Sequence, residues 1–303
     1  MGRDFARLIA RRKRQDALFN AVGILCTLVG LLTLGALLFN LLSDGLTRLD
    51  WAFLTSFPSR VAARAGILSA WVGTLLIMLV TALAAVPLGV AAGVYLEEYA
   101  RRNFLTNLIE INIANLAGVP SIIYGLMALG LLVYQFRLGQ SILTGGLTLA
   151  FLILPVVIVA TREALRTIPQ DIREAAYALG ATKWQVVRHH LLPYSVGGTM
   201  TGIIIALSRA VGETAPLITI GALTFIAFLP PAPLKTSAPF VSAEWVWSPF
   251  AVLPIQMFNW VSRPDQDFVA NAAGAGLVLI FLTLSLNAVA ILIRYRVRKR
   301  IKW

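Results

Sequence analysis

Arg209 and Glu213 stand four residues apart within residues 196–220, a stretch that is otherwise uncharged. Four residues is about one helical turn, so the two side chains share a face and can partly neutralise each other. A lone charge at mid-membrane costs roughly 2.5–3.5 kcal/mol on insertion scales, so charges kept there face a bundle interior or a watered cavity. The pair reads either as a pin between helices or as part of an anion path. Arginine chemistry favours the path, because the guanidinium keeps its charge and its planar fork binds tetrahedral oxyanions through paired hydrogen bonds. Glu213 alone would repel an anion. It suits orienting the guanidinium, or selecting an anion that still carries a proton to donate. Gly212 admits close approach of a backbone or ligand, and Pro216 frees backbone carbonyls one turn on.

Other candidate groups are sparser. Pro120, Ser121 and Tyr124 put a kink and two hydroxyls on nearly one face; Asn112 and Asn115 lie just before them. Small and hydroxyl residues are also ordinary helix-packing material, so these residues carry both readings. His189 and His190 are adjacent, point about 100° apart on a helix, and make a poor metal pair. Cys26 is the one cysteine, which excludes an internal disulfide. The sequence holds no Gly-x4-Gly-Lys-Ser/Thr nucleotide loop, paired catalytic carboxylates or nucleophile–histidine arrangement, so no enzyme is expected.

The elements that position these groups are membrane helices. Of the 303 residues, 58% are hydrophobic and 13% charged, with a mean hydropathy of +0.79. Soluble domains carry about 25% charged residues, so this chain cannot dress a soluble surface. Its net charge of +12 sits in short blocks beside apolar runs, the pattern of topology rather than of nucleic-acid binding. A bilayer core needs about 20 apolar residues. Six segments qualify, roughly 18–42, 69–95, 108–135, 141–161, 195–228 and 270–293. Six crossings put both termini on one side. Nineteen basic residues fall on that side and six on the other, so both termini are expected in the cytoplasm. Arg11 to Arg14 precede an apolar run too long for a signal-peptide core, so the first span is read as uncleaved. Two polar stretches remain, the inner loop 162–194 and the outer loop 229–269. The outer loop's seven prolines forbid one continuous helix, and Trp245, Trp247 and Trp260 suit the headgroup level of a surface-lying or re-entrant cap.

In the inner loop, Pro169 interrupts the departing helix and Asp171 is a candidate N-cap. A short helix over 172–179 follows, with Ile172, Ala175, Ala176 and Leu179 at amphipathic spacing, and Gly180 offers a left-handed stop. A second short helix places Trp184, Val187 and Leu191 along one face, and Pro193 closes it. Such a segment suits docking in another protein's groove or lying in the lipid interface.

The run Glu174-Ala175-Ala176, Gly180 and Leu192-Pro193 resembles the coupling loop of permeases in binding-protein-dependent ABC importers, with His190 where isoleucine is usual. The run from Ser208 through Arg209, Gly212, Glu213 and Thr214 to Leu217 resembles the signature of phosphate-importer permeases of the PstA type. Residues 115–125, 253–260 and the Asn287 region are similar to that family too, so the resemblance covers the chain from about residue 66 onward.

The resemblance implies an all-α, six-helix type I ABC importer permease of the bacterial inner membrane, with residues 1–65 as tail, first helix and outer loop, and 66–303 as core. It implies a substrate path along Arg209, Glu213, Thr214, Ser121 and Tyr124, and an ATPase-docking surface at Arg173, Glu174, Ala175, Ala176 and Gly180. No cofactor is expected in this chain; ATP and Mg would be held by the partner ATPase. The implied partners are a PstC-like permease, two PstB-like ATPase subunits and a PstS-like phosphate-binding protein. A permease for phosphonate, molybdate or another oxyanion, and a regulatory membrane protein that passes nothing, remain the alternatives.

Overall fold

The computed structural model describes residues 2–101, 103–233 and 242–300. Arg102, Lys235 and Pro239 lie outside the described residues. Among those described, every regular element is a helix. Five helices are long and apolar enough to cross a membrane, and a sixth crossing exists if one bent pair counts as a span. The fold is the all-α polytopic one expected.

The first helix, α1 (Gly2–Leu46), leaves none of its most apolar window buried, so its sides are left to lipid. It runs antiparallel to the last helix, α12 (Asp267–Arg300), and its end near Gly45 rests on Ala273 and Leu277. Both termini therefore share one end of the bundle, called proximal below; the opposite end is distal. The centre is built by α3 (Leu68–Val94), α6 (Ile142–Arg166) and α9 (Leu192–Val211), joined in one apolar cluster. Thr81 of α3 donates to the Gly146 carbonyl of α6 at 3.1 Å, a bond available only where the backbones approach closely. Ser141 caps the start of α6, and Pro169 fixes its end, because the residue before a proline avoids the helical region.

The third expected span is not one helix. It is α4 (Phe104–Leu116) and α5 (Ser121–Ala128, widening into a π-turn to Gln135), bent by 106°. Pro120 has no N–H to donate and biases Val119 away from helix, so the chain turns through 117–119 instead. The fifth expected span also stops early. Pro216 would collide with the carbonyl four residues back, so α9 ends at Gly212 and a separate short helix, α10 (Ala215–Thr219), takes Pro216 in its first turn.

The distal loop is folded inward rather than spread at the headgroups. Its helix α11 (Leu253–Val261) buries Trp260 completely, with ring centroids 6.0 Å from Phe53 and 6.2 Å from Phe268. Trp245 is buried as well; of the three loop tryptophans only Trp247 is exposed. Phe53 and Ala65 share this cluster with Ile67 and Leu253, so the segment before residue 66 is built into the distal core. Arg48 clamps it there, donating to Asn271 Oδ1 at 2.6 Å and to three carbonyls of residues 62–65.

Candidate functional site

Arg209 occupies the last turn of α9, where the helix dipole favours a cation. Glu213 lies just beyond, in the break before α10. The pair is therefore at a helix end, not within a continuous helix. Arg209 Nε donates to Glu213 Oε1 at 3.2 Å, with the arginine side chain 45% exposed and the glutamate 17%. One carboxylate thus engages one edge of the guanidinium, and its exposed edge keeps donors for another acceptor. Thr214 stands at the N-cap position of α10 without a side-chain capping bond; its hydroxyl points back to the Gly212 carbonyl at 3.5 Å.

Ser121 opens α5. Tyr124, one turn on, is buried and donates its hydroxyl to the Leu116 carbonyl at 2.8 Å. Gly125 lets α5 lie on α10, since a Cβ there would stand 2.7 Å from the Pro216 backbone. The expected path residues thus fall into two groups, Arg209, Glu213 and Thr214 around the break at 212–214 and Ser121 and Tyr124 on α5, which packs on α10. Asn112, by contrast, spends its amide on its own helix, donating to the Leu108 carbonyl at 2.8 Å.

The polar loop forms α7 (Gln170–Ala178) and α8 (Lys183–Val186). The first begins at Pro169, so Asp171 stands in its first turn, where it meets the positive end of the dipole, rather than as its cap. Gly180 closes it at φ +83°, as its position predicts. Ala176 packs down onto Val186, Val187 and Leu191, while Glu174, Ala175 and Gly180 are exposed and Leu179 is 89% exposed. Leu179, the residue that ends α7, is thus held out from the loop's own packing. Arg173 faces the other way. Its NH2 donates to Glu98 Oε1 at 2.8 Å and to the Leu165 carbonyl at 3.1 Å, so it supports the loop from beneath.

Thr182 and Gln185 cap α8 reciprocally. The helix then runs into α9 without the expected stop at Pro193. A π-turn over Val187–Leu191 widens the spiral just before the proline and absorbs its missing donor. Trp184 is exposed and does not share the buried face of Val187 and Leu191.

Sequence reasoning missed a charged cluster at the proximal end. The π-turn Tyr95–Tyr99 that ends α3 carries Glu97 and Glu98. Glu97 Oε2 receives Arg166 Nε at 2.9 Å and lies 3.5 Å from Arg162 Nε; Arg162 NH2 meets Glu110 Oε1 at 2.6 Å. The available signal was acidic charge at span ends: Glu97 and Glu98 directly follow the second span, and Glu110 stands in the first turn of the third. A polar pin between α9 and α12 was missed too, Ser208 donating to Asn287 Oδ1 at 2.6 Å.

A helical bundle with a broken charged span and a short helix projected between two crossings defines a polytopic membrane permease of the ABC importer kind. The chain belongs to the binding-protein-dependent transport system inner membrane component family, whose pattern matches residues 85–303. It is 32% identical over 269 residues to the probable ABC transporter permease protein YqgI of Bacillus subtilis, covering 87% of this chain and 90% of that one. It is 31% identical to the phosphate transport system permease protein PstA of Xylella fastidiosa, covering 85% and 84%. The PstA of Yersinia pestis is 34% identical over 210 residues, 69% of this chain and 71% of that one. The fold matches an inward-facing structure of the MetNI methionine ABC transporter, with a TM-score of 0.57, 19% identity, and 74% and 93% of the chains covered.

Proposed function

We propose that this chain is one permease half of an ATP-driven phosphate importer, with Arg209 on the path of the anion. The observation that carries the reading is the half-exposed Arg209 guanidinium, held along one edge by Glu213 and open along the other. The relatives named PstA supply the cargo class. Glu213 holds the fork in register and tempers its charge, so an anion binds without being trapped. A monoprotonated phosphate suits the site, because it can accept from Arg209 and donate to a carboxylate.

The remaining parts follow from the same reading. The basic proximal end lies in the cytoplasm. Glu174, Ala175 and Leu179 meet a separate PstB-like ATPase, two copies of which bind ATP and Mg. A PstC-like permease completes the path, and a PstS-like protein delivers phosphate at the distal end. ATP-driven closure of the motor moves α7 and opens the path.

The test is uptake of labelled phosphate by the reconstituted complex with its binding protein. Uptake that requires ATP and is competed by unlabelled phosphate, but not by phosphonate or molybdate, supports the reading. Failure of phosphate-loaded binding protein to stimulate ATP hydrolysis would sink it. Uptake competed best by another oxyanion would move the cargo.

A further inference from the structure

Among the described residues, the proximal charges divide into a block and an ion pair that reaches α4. The end of α6, α7 and the π-turn of α3 form the block. Arg173 grips Glu98 through Nε at 3.2 Å and NH2 at 2.8 Å, and also donates to the Ile168 carbonyl at 2.8 Å. Arg166 bridges Glu97 and Glu163 at 2.9 and 3.1 Å. Side-chain bonds therefore join α7 to the end of α6 and to the π-turn of α3.

Helix α4 is held differently. It has no buried residue, and its ion pair to the block is Glu110 with Arg162 at 2.6 Å. It continues through the 106° bend into α5, which bears Ser121 and Tyr124. Arg162 is itself only 6% exposed, and its Nε has no hydrogen-bond partner although Glu97 lies 3.5 Å away. A buried guanidinium with a spare donor beside a second carboxylate has two arrangements open to it, one shared with Glu110 and one with Glu97.

We propose that Arg162 is a positioning residue for coupling, passing the displacement of the docking loop to the α4–α5 limb by exchanging Glu110 for Glu97. The inference rests on loop 162–194 being the ATPase-docking element. It makes the limb that carries Ser121 and Tyr124 follow the motor, rather than the helix that carries Arg209 alone.

Glu110→Gln tests it, because this variant removes the ion pair's acidic charge while Arg162 keeps Glu97, so no buried cation is orphaned. In the reconstituted complex, with Cys26→Ser, spin labels go at Leu105 on α4, Leu284 on α12 and Ala178 on α7, all exposed. The expected result is that the ATPase immobilises the Ala178 label, and that ATP changes the Leu105–Leu284 distance in the parent chain but not in Glu110→Gln. Transport per ATP hydrolysed falls roughly three- to tenfold while hydrolysis persists, and Glu110→Asp restores part of it.

Equal distance changes in parent and Glu110→Gln overturn the proposal, as does a Leu105 label that never responds to ATP. Loss of hydrolysis and uptake together in Glu110→Gln also overturns it, because a purely structural pair would give that result. An Ala178 label left mobile by the ATPase shows instead that the docking reading has failed, and the inference falls with it.

Discussion

The Tyr124 hydroxyl donates to the Leu116 carbonyl at 2.8 Å, across the turn that joins α4 to α5. Leu116 ends one helix and Ser121 begins the next, so this bond ties the two arms of a 106° bend together. Tyr124→Phe keeps the ring's packing and removes the bond. It should lower thermal stability by about 1 kcal/mol. Because α5 loses its tie to α4, uptake should fall more than stability. Melting of the purified chain and uptake by the complex measure the two effects separately.

Gly125 is the matching constraint on the other side of α5. A methyl group there meets the Pro216 backbone, which cannot move without shifting the break that holds Glu213. Gly125→Ala should cost about 1–3 kcal/mol through overpacking. Gly130→Ala, five residues on with open space around the added carbon, should be close to neutral. Comparing the two variants by melting and uptake separates α5–α10 contact from any general cost of altering the limb.

Much of this architecture was legible in the sequence, and the failures share a cause. Apolar run length set the crossings, and Gly180 announced its left-handed stop because its φ demand is local. Pro120 signalled a disruption, but not the 106° angle, which depends on where Tyr124 and α10 hold α5. The same holds for Trp260. Its amphipathic ring suits a headgroup, yet Phe53 and Phe268, far apart in sequence, enclose it. The Arg162 cluster was hidden for the same reason: Glu97, Glu110 and Arg162 lie on three helices, and only packing brings them together.

On the loop, the two faces of α7 should respond oppositely to the same change. Leu179→Asp alters a side chain with almost no intramolecular contact, so the chain should fold and melt as before. If Leu179 anchors the ATPase, attachment should weaken at least about tenfold. Ala176→Asp places a charge among Val186, Val187 and Leu191 and should unfold the loop itself. Co-purification of the ATPase with each variant, alongside melting, checks both. Undiminished attachment of Leu179→Asp would show that the exposed leucine serves something else.

Arg209 offers the sharpest separation between a path and a pin. Arg209→Lys keeps a positive charge but loses the planar fork, and Arg209→Gln loses both. If the fork binds the anion, uptake should fall about tenfold or more in Lys and further in Gln, from the loss of charge-assisted hydrogen bonds. Arg209→Gln also leaves Glu213 without its cation, which alone would disturb the break before α10. The double variant Arg209→Gln with Glu213→Gln removes that complication, since neither side is left charged. A mere pin should be largely rescued in the double variant, because two neutral amides can still bond across one turn. A path should stay closed, because no cation remains to receive the anion. Uptake of labelled phosphate by the three variants, at matched amounts of assembled complex, decides between them.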